Sequence, residues 1–280
     1  MPDEIGRSRV GRAAAEAALV RVVHCYGSCP EFVVIGGLIP ALLCLNSTYQ
    51  HAGTTDIDVQ VDLEIACGAV NTKRLEQALQ EAGFTPTSER VWRWVIEEPA
   101  KPKVEVKFEL LADLDSRPSG DILSFDECDQ LGAVNLRGTR FAARDKRTIK
   151  MSAEIKGSTY EIEVNVADIA GFLLAKTAAA YSRRLPKDWY DIAFVLLNND
   201  IGGPDEVANL VLQKFGRELV GEVRTALKDL AANFESHSCQ GTLAFSQQIL
   251  VDHPDLDELT VCADAIVAVT TFYKTLYPDK

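Results

Sequence analysis

Near residue 166 the hydrophobic pattern of the chain changes period, and no other feature constrains the fold as tightly. Upstream, short apolar runs alternate with polar residues; from Asp168 onward apolar residues recur at helical spacing, with helix starts at Asp168, Pro186, Pro204 and Pro254. A strand buries every second side chain and a helix every third or fourth, so neither segment can take the other's structure. The reading is α+β: a mixed sheet with flanking helices over residues 1–166, then a mostly helical domain over residues 167–280. With 47% apolar residues in a chain of 280, a core large enough to fold without staples is available.

Within the first part, Arg12 to Val23 reads as an amphipathic helix and Phe32 to Ile35 as a short apolar strand. That strand runs into Gly36-Gly37, after which Leu38 to Leu45 reads as a helix with Pro40 in its first turn. Strands follow at Asp56 to Val61, Val91 to Ile96 and Val104 to Leu111, with a helix over Lys73 to Ala82 ended by Gly83. Ala112 to Asp121 has loop composition. Thr148 to Ile155 and Tyr160 to Val166 form a hairpin, with its turn at Lys156-Gly157-Ser158.

Several function classes are disfavoured by the same residues. The apolar stretch Phe32 to Leu45 is interrupted and shorter than the roughly 20 residues a spanning helix needs, so no membrane is expected. The amino terminus opens with Asp3 and Glu4 rather than a basic segment, and a cytoplasmic location is the expectation. Seven cysteines without paired zinc spacing read as reduced thiols; His237 with Cys239 makes at most half a metal site. A net charge of -12 opposes a broad nucleic-acid footprint and leaves two local basic patches, Arg137 to Lys150 and Lys176 to Lys187.

The chemistry-bearing residues are carboxylates. Asp56 and Asp58 stand two apart on a strand, so both project from one face while Ile57, Val59 and Val61 face the core. Two adjacent carboxylates repel unless a cation lies between them, and magnesium, which takes oxygen ligands and shares them with substrate phosphates, is the natural one. Manganese is the alternative. Gly36-Gly37, one helix upstream, offers bare backbone that phosphates can approach closely. A third carboxylate is available from Glu105 or Glu109, both opposite the apolar face of their strand, and periodicity alone does not choose between them.

Downstream, Lys176 and Arg183 fall seven apart on nearly one helix face and can reach the same anion. Asp188 and Asp191 follow in the first turns of the next helix. The assignment taken has Asp188 facing the cleft and orienting Lys176 or an acceptor, with Asp191 bracing Arg183 or Lys187; the reverse order is the alternative. Trp92 and Trp94 share one side of a strand, suited to core packing or to stacking on a base. Arg137, Arg140, Arg144 and Arg147 are candidates for RNA backbone contact or an ordinary solvated surface.

Taken in order, Val34-Ile35-Gly36-Gly37, His51 through Val59 and Val106 through Leu111, followed by Lys176, Arg183 and Lys187-Asp188-Trp189-Tyr190-Asp191, resemble the AbiEii/AbiGii-type nucleotidyltransferase toxins of bacterial type IV toxin–antitoxin systems, within the polymerase-beta-like superfamily. The resemblance runs discontinuously from about residue 32 to residue 207. It implies transfer of NMP from an NTP to an acceptor such as the end of a tRNA, with a cognate antitoxin encoded nearby. It further implies metal ligation by Asp56, Asp58 and Glu109, and catalytic roles for Asp56, Asp58, Lys176 and Asp188. Nucleotide binding falls to Gly36, Gly37, Thr54, Thr55, Lys176, Arg183 and Asp191, with the helical domain completing the cleft. Transfer to a cationic small molecule and a silent nucleotide-binding module are the rival readings.

Overall fold

The computed structural model describes residues 9–61, 71–87, 90–98, 103–155 and 157–278. Two compact units emerge: Met1–Ile39 with Ala52–Asp168, and Pro40–His51 with Ile169–Lys280.

The first unit is a mixed sheet with helices. Its strands are β1 (Val33–Ile35), β2 (Asp56–Gln60), β3 (Thr85–Thr87), β4 (Arg90–Glu98), β5 (Val104–Ala112), β6 (Ile122–Ser124), β7 (Gly132–Asn135), β8 (Lys146–Ile155) and β9 (Ser158–Ala167), in the order β3-β4-β5-β2-β1-β9-β8 with β7 on β5 and β6 on β7. β2 runs antiparallel to β1 and parallel to β5, and β1 runs parallel to β9. Alternation places Ile57, Val59, Trp94, Val106, Phe108 and Val166 in the core, all fully buried. Helix α1 (Arg9–Tyr26) packs on β5, β8 and β9 and on α3 (Thr72–Glu81), contributing Ala15, Ala18, Leu19 and Val22. Asn71 caps α3 by accepting from the Arg74 amide.

Two local expectations are corrected. Leu38 does not open a helix that reaches Leu45: Gly36 takes a φ of +74°, Gly36–Leu38 is a 3-10 turn, and α2 is only Ile39–Leu43. The segment Ala112 to Asp121 is a loop only after Ala112, pinned by the buried Asn135 side chain, which donates to the carbonyls of Leu114, Arg117 and Pro118. Composition also hides β3, β6, β7 and the one-turn helix α4 (Arg140–Arg144). Of the expected hairpin turn, Lys156 lies outside the described residues; Ile155 pairs with Ser158, and Gly157 has φ +80°.

The second unit is helical: α5 (Ile169–Arg183), α6 (Pro186–Asn198), α7 (Pro204–Phe215), α8 (Gly221–Ala232), α9 (Gln240–Asp252) and α10 (Glu258–Leu276). Proline sits in the first turn of α6 and of α7, as its fixed φ favours. Pro254 does not start α10, because Asp257 caps that helix by accepting from the Thr260 amide. The segment Pro40–His51 joins this unit through Asp200, whose carboxylate accepts from the amides of Leu45 and Asn46 at 3.0 and 2.9 Å. By length and composition α10 could cross a bilayer, which the expectation of no span must reckon with; here it packs on α6, α7 and α9, burying Val261, Ala265, Val269 and Phe272.

Candidate active site

Strand register assembles the carboxylates. Asp58 lies beside Ile35 on β1 and Glu109 on β5, and Glu109 lies beside Arg93 on β4. One row crosses four strands: Ile35, Asp58, Glu109, Arg93. The adjacent row on that face sets Asp56 beside Lys107. Directly paired residues share a face, and adjacent strands run about 4.8 Å apart, so the Asp58 and Glu109 side chains rise together. Glu105 instead pairs with Glu97 and lies two residues before Lys107, beyond the start of β2. Of the two acids that periodicity left open, Glu109 is therefore the one beside Asp58.

The glycine pair is fitted to this row. A Cβ on Gly36 would overlap Asp58 Oδ2 and lie 2.8 Å from its Cγ, and one on Gly37 would lie 2.9 Å from the Thr54 Cβ. The Asp58 carboxylate thus packs on a Cα that must be bare. Thr54 Oγ1 accepts from the Asp56 amide at 3.0 Å, fixing the entry to β2, while the Thr55 carbonyl accepts from the Lys107 amide at 3.1 Å. Thr54 and Thr55 are seen as props of the carboxylate strand.

Two cations share the face. Arg93 Nε lies 2.5 Å from Glu109 Oε1, and Lys107 Nζ lies 3.7 Å from Asp56 Oδ1. Among the described residues no three acid, histidine or cysteine side chains already converge as a metal cage. The donor set is nonetheless hard oxygen on one face, with one carboxylate held in a glycine cradle, and this fits a magnesium-type cation.

In the helical unit, Lys176, Asp188 and Asp191 are buried. Arg183 donates to both oxygens of Asp188, from Nε and Nη2, each at 2.7 Å. Lys176 Nζ lies 3.1 Å from Asp188 Oδ1 and 2.7 Å from Asp191 Oδ2. Asp191 Oδ1 is 2.9 Å from His51 Nε2, whose ring lies against Tyr190 and Phe194. The anion that Lys176 and Arg183 both reach is thus Asp188, and the partners of Asp191 include Lys176 and His51. Burial alone would lower the Lys176 pKa, but Asp191 and Asp188 outweigh it and the net shift is upward. Burial would likewise raise that of Asp188, and Lys176 and Arg183 reverse it to a net depression. Lys176 and Asp188 are charged partners in a low-dielectric interior.

Other expected contacts resolve locally. Trp94 is core, beside Phe108, whereas Trp92 is partly exposed with the Arg93 guanidinium 4.9 Å from its ring. Arg137 and Arg140 both pair with Asp115, at 2.6 and 2.7 Å. All six cysteines among the described residues are free thiols, and burial pushes the Cys44 thiol up to about 12.

A model of the family described as nucleotidyl transferase AbiEii toxin, type IV TA system, matches residues 29–260. The chain belongs to the AbiEii family. It is therefore a nucleotidyltransferase of the type IV toxin–antitoxin kind. The match to AbiEii takes in both the carboxylate row and the buried helical network. Among solved structures the chain is similar to an antigenic nucleotidyltransferase-like protein from Paracoccidioides brasiliensis, at 16% identity and a TM-score of 0.45, covering 84% of this chain and 94% of that one. No curated protein matches in sequence.

Sequence reasoning passed over Arg93 and gave His51 no role beyond its place in the motif. Arg93 carried one available signal, being the cation opposite in phase to Trp92 and Trp94. No local pattern joins His51 to Asp191, 140 residues away.

Proposed function

We propose that this AbiEii-family enzyme transfers NMP from an NTP to the end of an RNA, most simply a tRNA, and that this arrests growth until a cognate antitoxin relieves it in the cytoplasm. The observation that carries the reading is the row of Asp58 and Glu109 against the bare Cα of Gly36. In it, the backbone of Gly36 and Gly37 gives the triphosphate close approach, and Asp56, Asp58 and Glu109 hold the divalent cation, magnesium or manganese. When bound, that cation supplies charge compensation for the phosphates and for the entering and leaving oxygens. The acceptor hydroxyl gives up its proton to solvent as its oxygen bonds to the α-phosphorus, and the bond to the pyrophosphate oxygen breaks in line with it. Thr54 holds the strand entry so that Asp56 and Asp58 keep their facing. Within the helical unit, Lys176 and Asp188 hold Arg183 in a fixed charged network.

One observation favours a second acceptor class. Arg137 and Arg140 direct their charge at Asp115, and the chain carries a net -12, which suits a small cationic acceptor. Incubation with each α-labelled NTP, magnesium and total tRNA separates the two. Label on full-length tRNA supports the RNA reading; label only on an added aminoglycoside-type polycation replaces it with the second.

A further inference from the structure

We infer that Arg93 is the resident counter-ion of the third carboxylate and a nucleotide-binding residue: it holds Glu109 when the site is empty and moves to the phosphates when NTP and metal arrive. This rests on the proposed role of Glu109 as a ligand. Arg93 is placed for it by the sheet itself, paired with Glu109 in register, while Glu109 pairs on its other side with Asp58. Its guanidinium nitrogen lies 2.5 Å from Glu109 Oε1, and both side chains keep part of their surface in water, 24% and 14%. An incoming ligand can therefore reach the pair. Arginine stays protonated at any working pH, so it cannot yield the carboxylate by losing its charge. It can only move. In the two adjacent rows of this face three acids, Asp56, Asp58 and Glu109, stand against two cations, Arg93 and Lys107. Once Glu109 is shared with a divalent cation, the guanidinium loses its main attraction there, and a triphosphate on the Gly36 side of the same row offers several anionic oxygens that its planar fork can bond in pairs. Lys107 is the weaker counter-ion, at 3.7 Å from Asp56. The pairing also sets an order: Arg93 makes Glu109 a poor ligand for the metal alone and a good one for metal arriving with nucleotide.

The test is calorimetric titration with manganese alone, then with manganese and a non-hydrolysable NTP analogue, on wild type, Arg93→Gln, Arg93→Lys, Glu109→Gln and the Arg93→Gln/Glu109→Gln double variant. Metal-free melting curves first establish that each is folded. The expectation is that Arg93→Gln binds manganese alone about fivefold more tightly, the worth of one partly shielded ion pair, and binds the analogue about fivefold more weakly. Arg93→Lys should fall between, and the gain for manganese should vanish once Glu109 is already Gln. If Glu109→Gln weakens manganese binding in the presence of the analogue while Arg93→Gln changes neither affinity, the inference fails and the carboxylate reading stands. If Glu109→Gln and Asp58→Asn, titrated alongside, both leave manganese affinity in the presence of the analogue unchanged, both fall together.

Discussion

Replacing Lys176 by Met tests the helical network by removing charge while keeping length. Lys176 lies 2.7 Å from Asp191 and 3.1 Å from Asp188, and all three side chains are at least nine-tenths buried. Without the ammonium, two buried carboxylates are left with the Arg183 guanidinium and the His51 ring. Breaking a buried pair by removing one partner costs about 3–5 kcal/mol, because an uncompensated charge stays behind. For a chain of this size that lowers the melting temperature by about 10 °C. Removing the stranded charge as well, with Lys176→Met/Asp191→Asn, should recover more than half of the loss. The pH dependence has a definite sign. Asp188, depressed in the fold, adds stability above its ordinary pKa that is lost as pH falls through the folded value; Lys176, raised, adds stability below its ordinary pKa that is lost as pH rises through the folded value. Their pair is thus fully charged through the neutral range, and the cost of Lys176→Met should be flat from about pH 6 to pH 9. Circular dichroism melts measure both. A variant within about 1 kcal/mol of wild type, or a double variant no better than the single, would refute the charge-balance argument.

Three further outcomes follow from the first unit. Gly36→Ala places a methyl into the Asp58 carboxylate at φ +74°, so transfer should fall more than about 100-fold while stability falls by only about 1–3 kcal/mol; paired activity and melting measurements check it. Glu109→Gln should reduce transfer about as severely as Asp58→Asn, whereas Glu105→Gln, off the carboxylate row, should leave kcat within about twofold, read from steady-state rates. Glu76 is fully buried and accepts from the amides of Asp129, Gln130 and Leu131; burial would raise its pKa, but these bonds and Lys73 depress it. Its stabilisation is present above its ordinary pKa and lost as pH falls below it, so Glu76→Gln should flatten the acid limb of a stability profile and speed amide exchange at residues 129–131.

How much was legible in the chain depended on the range of the interaction. Asp56 and Asp58 on one face, and glycine where the chain must turn, are consequences of period two and of backbone sterics, and both could be read directly. The choice of Glu109 over Glu105 could not, because it is fixed by the parallel register of β2 on β5, strands about fifty residues apart whose pairing leaves no local trace. Arg93 was hidden for the same reason. The membership of Pro40–His51 in the helical unit depends on Asp200 and Asp191, contacts that no periodicity encodes. The start of α10 departs from Pro254 because the Asp257 carboxylate, an N-cap residue type, accepts from the Thr260 amide and hydroxyl.

The most direct test of the active-site assignment is anomalous diffraction from crystals grown with manganese and a non-hydrolysable NTP analogue. The account predicts a manganese peak bonded to oxygens of Asp56, Asp58 and Glu109, with the phosphates over Gly36 and Gly37 and the Arg93 guanidinium turned from Glu109 to the phosphates. Manganese and nucleotide bound away from that row, with Glu109 still held by Arg93, would contradict it.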